Sequence, residues 1–134
     1  MRKITLDKEK SKSLLRMSRK ILDRIEDTDK NKFPSQVLKD YYTSMKQLME
    51  ATASVEGVKA EGKGAHSKLI DWVCDNYSFT ESDRQFLQQL RKYRNRINYE
   101  GFTIGTEYLE RNEDKIKEII QRLRDKLSDD LLHK

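Results

Sequence analysis

The sequence predicts an all-α protein, an antiparallel bundle of five helices, four long and one short. Three observations carry this. Apolar residues make up 35% of the chain and charged residues 38%, a balance that suits helices because each needs only one apolar stripe. One proline and five glycines in 134 residues leave long stretches without a breaker. Apolar residues recur at helical spacing along most of the chain, and no alternating strand pattern competes.

The first helix is expected from about Asp7 to Asp27. Leu14, Leu15, Ser18, Ile21, Leu22 and Ile25 mark one face, and Asp7 is suited to cap its start. The polar run DTDKNK breaks it. The second helix opens near Pro34, a residue at home in a first turn. Its stripe is Val37, Leu38, Tyr41, Tyr42, Met45, Leu48 and Met49, and its end is placed between Glu56 and Gly62. The glycine-rich EGVKAEGKG that follows reads as a flexible loop. A short third helix covers about Ala65 to Asn76, with Leu69, Ile70 and Val73 inside and His66 on the same face. The fourth opens after SFTESD, where Thr80 or Ser82 supplies a cap. Phe86, Leu87, Leu90, Tyr93 and Ile97 form its stripe, and Gly101 lies near its end. The fifth runs from about Thr106 to Leu127 through Leu109, Ile116, Ile119, Ile120 and Leu123, and the tail SDDLLHK is expected to fray. The length fits one domain over 1–134, with its core at about 6–127.

Several function classes drop out. The single cysteine, Cys74, allows no internal disulfide and no cysteine metal cluster, and its apolar setting in LIDWVCDNY suits a buried, inert thiol. No phosphate-binding glycine loop, zinc ligand set or serine–histidine–acid arrangement occurs, so no cofactor is expected. MRKITLDKEK has no apolar run like that of a signal peptide, and no stretch approaches a membrane span, so a cytoplasmic protein without membrane contact is expected. The net charge of +5 permits nucleic-acid contact.

The chemistry concentrates in YRNRINYEG, residues 93–101. With Phe86 at zero on a helical wheel, Leu90 falls at about 40°, Ile97 at about 20° and Arg94 at about 80°. Arg94 therefore sits in the apolar sector. Its guanidinium cannot lose its charge, so it pairs with a buried acid, snorkels to solvent, or lines a cleft that admits an anion. Asn95 and Tyr99 lie on another face. Arg94 and Tyr99 are about 140° apart on an ideal helix; they converge only if the helix loosens near Gly101 or a second subunit contributes its own copies. Arg91, Lys92 and Arg96 add positive field. Tyr93 belongs to the core stripe. Asn95 is suited equally to contacting a ligand or to orienting the arginine.

RNRINYEG resembles the signature of the HEPN family (higher eukaryotes and prokaryotes nucleotide-binding): an arginine, usually followed by asparagine, then a histidine after four to six residues. The preceding LRKY, the following glycine and the earlier GKGAHSKLIDWV are similar to family members too, and the resemblance covers about residues 6–127. It implies a helical bundle that often dimerises, with Arg94 and Asn95 in the functional positions. In many relatives two such motifs meet across a dimer cleft and cut RNA without a metal; the histidine moves a proton at the ribose 2′-hydroxyl and the arginine holds the phosphate. Many small members act beside a minimal nucleotidyltransferase as the toxin of a pair.

This chain departs where the histidine should stand, since Tyr99 occupies the position. Phenol has a reference pKa of about 10, against about 6.5 for imidazole, so it is the poorer base near neutrality. Asn98 hydrogen-bonds but shuttles no proton. The resemblance thus implies an RNA- or nucleotide-binding homodimer, partnered by a nucleotidyltransferase. Arg94, Asn95 and Tyr99 are the candidate reactive positions, and Arg91, Arg94, Arg96 and Asn98 the candidate ligand contacts. Two alternatives stand beside it: a divergent ribonuclease with Tyr99 or His66 assisting, and a structural adaptor with an internally paired Arg94. His66 is otherwise expected to bond the backbone at the start of the third helix.

Overall fold

The computed structural model describes all 134 residues. Helix α1 spans Lys8–Glu26, and Asp7 caps it by accepting from the Lys10 N–H at 2.9 Å. Helix α2 spans Pro34–Val55 with Pro34 in its first turn. The two are joined along a seam of small residues. Ser11 Oγ donates to the Ala51 carbonyl at 2.8 Å, and Ser18 Oγ and Ser44 Oγ lie 2.6 Å apart. Arg24 closes the far end, its Nε and Nη2 donating to Asp40 at 3.1 and 2.7 Å. The order of these pairs makes α1 and α2 antiparallel. Ser11, Ser18 and Ser44 are fully buried, and each has its hydroxyl satisfied, as close helix packing through polar small residues requires.

Helix α3 covers Ala65–Asn76, α4 Glu81–Glu100 and α5 Thr106–His133. Thr80 rather than Ser82 caps α4, in a reciprocal capping box with Asp83. Asp83 then does a second job. Buried beside α5, it accepts from Lys115 Nζ at 2.9 Å and Arg122 Nη1 at 3.3 Å. Tyr93 packs edge-on to Tyr108 at 5.1 Å, so α4 and α5 are antiparallel. Tyr41 of α2 donates to Glu113 at 2.6 Å, and Lys134 reaches Glu56, so α2 and α5 run the same way, as alternation of the four long helices requires. Helix α2 is the central rod. Most of its residues are buried, including Tyr41, Tyr42, Met45, Leu48 and Met49. Trp72 is half-buried and packs edge-on to Tyr77 at 5.9 Å. Cys74 is buried, which pushes its thiol up to about 11 and keeps it protonated. No helix is long and apolar enough to cross a membrane.

Two expectations are corrected. The glycine-rich segment is not simply a loop: β2 (Val58–Lys59) pairs antiparallel with β1 (Arg2–Lys3), Arg2 opposite Lys59 and Lys3 opposite Val58. The Ile4 N–H continues the ladder to the Gly57 carbonyl at 2.9 Å, and the Asp7 N–H reaches the Ser54 carbonyl at 3.2 Å. Two-residue strands carry no readable period. The tail also does not fray. Helix α5 continues to His133 because Leu127 and Asp130 are buried and Leu131 packs on the core. Lys126 Nζ lies 3.2 Å from Asp130.

Candidate functional site

Helix α4 is helical through Glu100 and stops at Gly101, whose φ of +68° places it in the left-handed region. The Phe102 N–H returns to the Arg96 carbonyl at 3.3 Å and closes the end. The helix does not loosen before that glycine. Its buried residues Asp83, Leu87 and Leu90 define one line, and Arg94 is the next position along it, at the wheel angle that the sequence gives.

The Arg94 side chain is half-buried and has no carboxylate partner. Its Nη1 donates to Asn95 Oδ1 at 3.1 Å, and its guanidinium carbon lies 5.8 Å from the centre of the Tyr42 ring. The internal salt bridge considered for this residue is not formed. Glu50, the acid that acts with Arg94 on Tyr42 and His66, is engaged with Lys46 at 3.3 Å. Asn95 takes the orienting role. Beneath the guanidinium, the Tyr42 hydroxyl is buried without a hydrogen-bond partner. Burial pushes this phenol up to about 12, against the pull of the Arg91 and Arg94 charges, so it stays a neutral donor.

The neighbours of Arg94 are mostly cationic or amide. Arg91 is half-buried, with Nε donating to Gln88 Oε1 at 2.8 Å. Asn98 lies about 40° from Arg94 on the helix and is exposed. From α3, His66 faces the same region. Its ring makes no hydrogen bond, so the expected backbone contact at the start of α3 is absent. Burial lowers its pKa; the charges of Lys46, Arg94 and Arg91 lower it further, while Glu50 opposes them. His66 is therefore neutral near pH 7, among three fixed cations and one carboxylate that is already paired.

The fold does not gather every candidate. Arg96 is about 160° from Arg94; it packs 4.0 Å above the Phe102 ring and lies 3.8 Å from Glu100. Tyr99 is 79% exposed on another face, and within the chain it does not join Arg94. Tyr93 is a packing residue, 5.6 Å from Phe102. Sequence reasoning missed Lys46 and Glu50, which look like ordinary surface charges one helical turn apart. It also gave His66 too little weight, since the residue is remote from the motif in sequence. The signal that was available is the position of His66 on the inner face of α3.

An all-α bundle with an uncompensated arginine cluster at one end of α4 is the class that fold and site define together. Comparison with protein-family models, with curated proteins and with solved structures finds no match.

Proposed function

We propose that the protein binds RNA or a nucleotide through Arg91, Arg94 and Asn98, with Asn95 holding the Arg94 guanidinium. We read it as a HEPN-like homodimer that pairs with a minimal nucleotidyltransferase in a toxin–antitoxin-like module. The single observation that supports this is Arg94. A half-buried guanidinium held by an amide and an aromatic face, with no acid, keeps its planar fork available to a phosphate. Arg91, which has no acid partner, adds charge of the same sign, which favours an anion arriving from solvent. A second copy of the chain would bring its own Tyr99, the one candidate reactive position that a single protomer leaves apart. The direct test is fluorescence anisotropy with a labelled single-stranded RNA. Arg94→Ala is expected to weaken binding tenfold or more, and Arg96→Ala about twofold. Equal effects from the two would remove the reason for singling out Arg94.

A ribonuclease is the second reading, favoured by the position of His66. A neutral imidazole near Arg94 is equipped to take the 2′-hydroxyl proton as that oxygen attacks phosphorus; the 5′-oxygen leaves and gains a proton, and a 2′,3′-cyclic phosphate remains. Incubation with total RNA and a chelator tests it. Cleavage lost in both Arg94→Ala and His66→Ala supports the enzyme; no cleavage by the unaltered protein rejects it.

A further inference from the structure

The chain holds 28 basic and 23 acidic residues, and the excess sits in two stretches. Residues 84–99, the part of α4 that carries Arg94, contain five cations and no acid. Residues 10–22 of α1 contain five more, again with no acid, so the rest of the chain is net negative. Four of the α1 cations share one face. With Arg16 at zero on a helical wheel, Lys12 falls at about −40°, Arg19 at about −60° and Lys20 at about 40°. The buried Leu15, Ser18 and Ile25 lie about 100° to 180° from Arg16. All four cations are exposed. Lys12 is paired with Glu9 at 3.4 Å, an acid that is itself 83% exposed; Arg16, Arg19 and Lys20 pair with no acid of the chain. On α5, by contrast, Lys115 and Arg122 are paired with Asp83, and Lys126 with Asp130.

The arrangement works against the helix. Lys12 and Arg16, and again Arg16 and Lys20, are like charges four residues apart, and Arg16 and Arg19 are three apart; each such pair destabilises a helix. Stability therefore does not account for the strip, whereas a polyanion lying on it would remove the repulsion. The surroundings narrow the partner further. Glu9, Ser13 and Asp23 fill the other positions of the outer arc, which carries no apolar residue. A helix lying in a membrane surface needs an apolar face to bury, and a protein interface needs an apolar core. A phosphate backbone needs only cations, and nucleic-acid interfaces are of this polar, strongly basic kind. From Lys12 to Lys20 the helix rises about 12 Å and carries four of these charges. That is about one per 4 Å, close to the ~3.4 Å per phosphate along one strand of a duplex.

We propose that the outer face of α1, centred on Arg16, Arg19 and Lys20, is a second RNA contact surface, one that holds the phosphate backbone without reading sequence. The inference rests on the RNA reading above and adds a surface outside the Arg94 site.

The test uses the full chain and two labelled single-stranded RNAs of unrelated sequence, followed by anisotropy across a salt series. The triple variant Arg16→Gln, Arg19→Gln, Lys20→Gln is expected to weaken both strands at least tenfold at low salt, and by the same factor. The slope of log affinity against log salt should become shallower by about 2, from about 0.7 for each of three contacts. Its thermal melt is expected at or above that of the unaltered protein, because the repulsion is gone. Should the triple melt early, Arg16→Gln with Lys20→Gln is read the same way, with a slope change of about 1.4. The control removes the same charge from α5, through Arg111→Gln, Lys117→Gln and Arg124→Gln, and is expected to weaken binding less than twofold. Equal losses from the two triples, a loss confined to one strand, or an unchanged slope in the α1 triple would overturn the proposal. Sedimentation with phosphatidylserine vesicles runs in parallel; vesicle binding that the α1 triple abolishes, with RNA affinity intact, would overturn it too and assign the face to a membrane. If the α1 triple binds RNA normally while Arg94→Ala binds it weakly, this face falls and the Arg94 reading survives. No binding of any strand by the unaltered protein would remove both.

Discussion

Replacing Arg94 with methionine should remove function at almost no cost in stability. The side chain makes one hydrogen bond, to its neighbour Asn95, and one contact with the face of Tyr42. A hydrogen bond of that kind contributes about 1 kcal/mol net, and an open cation–π contact about 0.5–1 kcal/mol. Against these losses, methionine lays an apolar stem on Tyr42 and relieves repulsion from Arg91, so the change should stay within about 1 kcal/mol. Arg24→Met is the control. It strips two hydrogen bonds from Asp40, a carboxylate only 4% exposed, and should cost about 2 kcal/mol because a buried charge loses its main partner. The assay is urea denaturation of the three proteins followed by circular dichroism, with the slopes compared to confirm a common unfolded state. A loss for Arg94→Met equal to that for Arg24→Met would refute the reasoning, since it would mark Arg94 as a structural pair.

Two further changes probe the scaffold. Burial works to raise the pKa of Asp83, but the Thr80 N–H, Lys115 and Arg122 outweigh it and hold the carboxyl at about 2 against an ordinary 3.8. At 1.36 kcal/mol per unit this amounts to about 2 kcal/mol, present above pH 4 and lost as pH falls through the folded value. Asp83→Asn should remove that stability at neutral pH and flatten the acid limb of a stability–pH curve measured by thermal melts. Gly57 has a φ of +74°, and a Cβ there would lie 3.1 Å from the Ile4 carbonyl oxygen. Gly57→Ala should therefore cost about 1–2 kcal/mol and speed amide exchange at Ile4, readable by hydrogen-exchange NMR.

Most of the helical frame was legible because its signals are local and redundant. Pro34, Thr80 and Gly101 each mark a helix boundary by local chemistry alone, and the structure uses all three. Arg94 was legible for the same reason, since a charge inside a periodic apolar stripe is a visible exception. Other features depend on distant segments. The β1–β2 pairing joins two residues near the start of the chain to two after α2, and neither pair has a pattern of its own. The ordered tail depends on Leu131 finding the core and Lys134 finding Glu56. The place of His66 beside Arg91 and Arg94 depends on how α3 lies against α4, where Arg84 binds Asp71 at 2.9 Å and Gln88 donates to the Ser67 carbonyl at 3.1 Å. Those contacts are between polar surface residues that a single sequence cannot pair.

The salt dependence of RNA affinity puts the free guanidinium to its sharpest test. Affinity for one single-stranded RNA would be measured across a salt series for the unaltered protein and for Arg94→Gln. Each phosphate contact on a single strand contributes about 0.7 to the slope of log affinity against log salt. The expected result is a clear slope that becomes shallower by about that amount in the variant. A slope identical in the two proteins would show that Arg94 touches no phosphate.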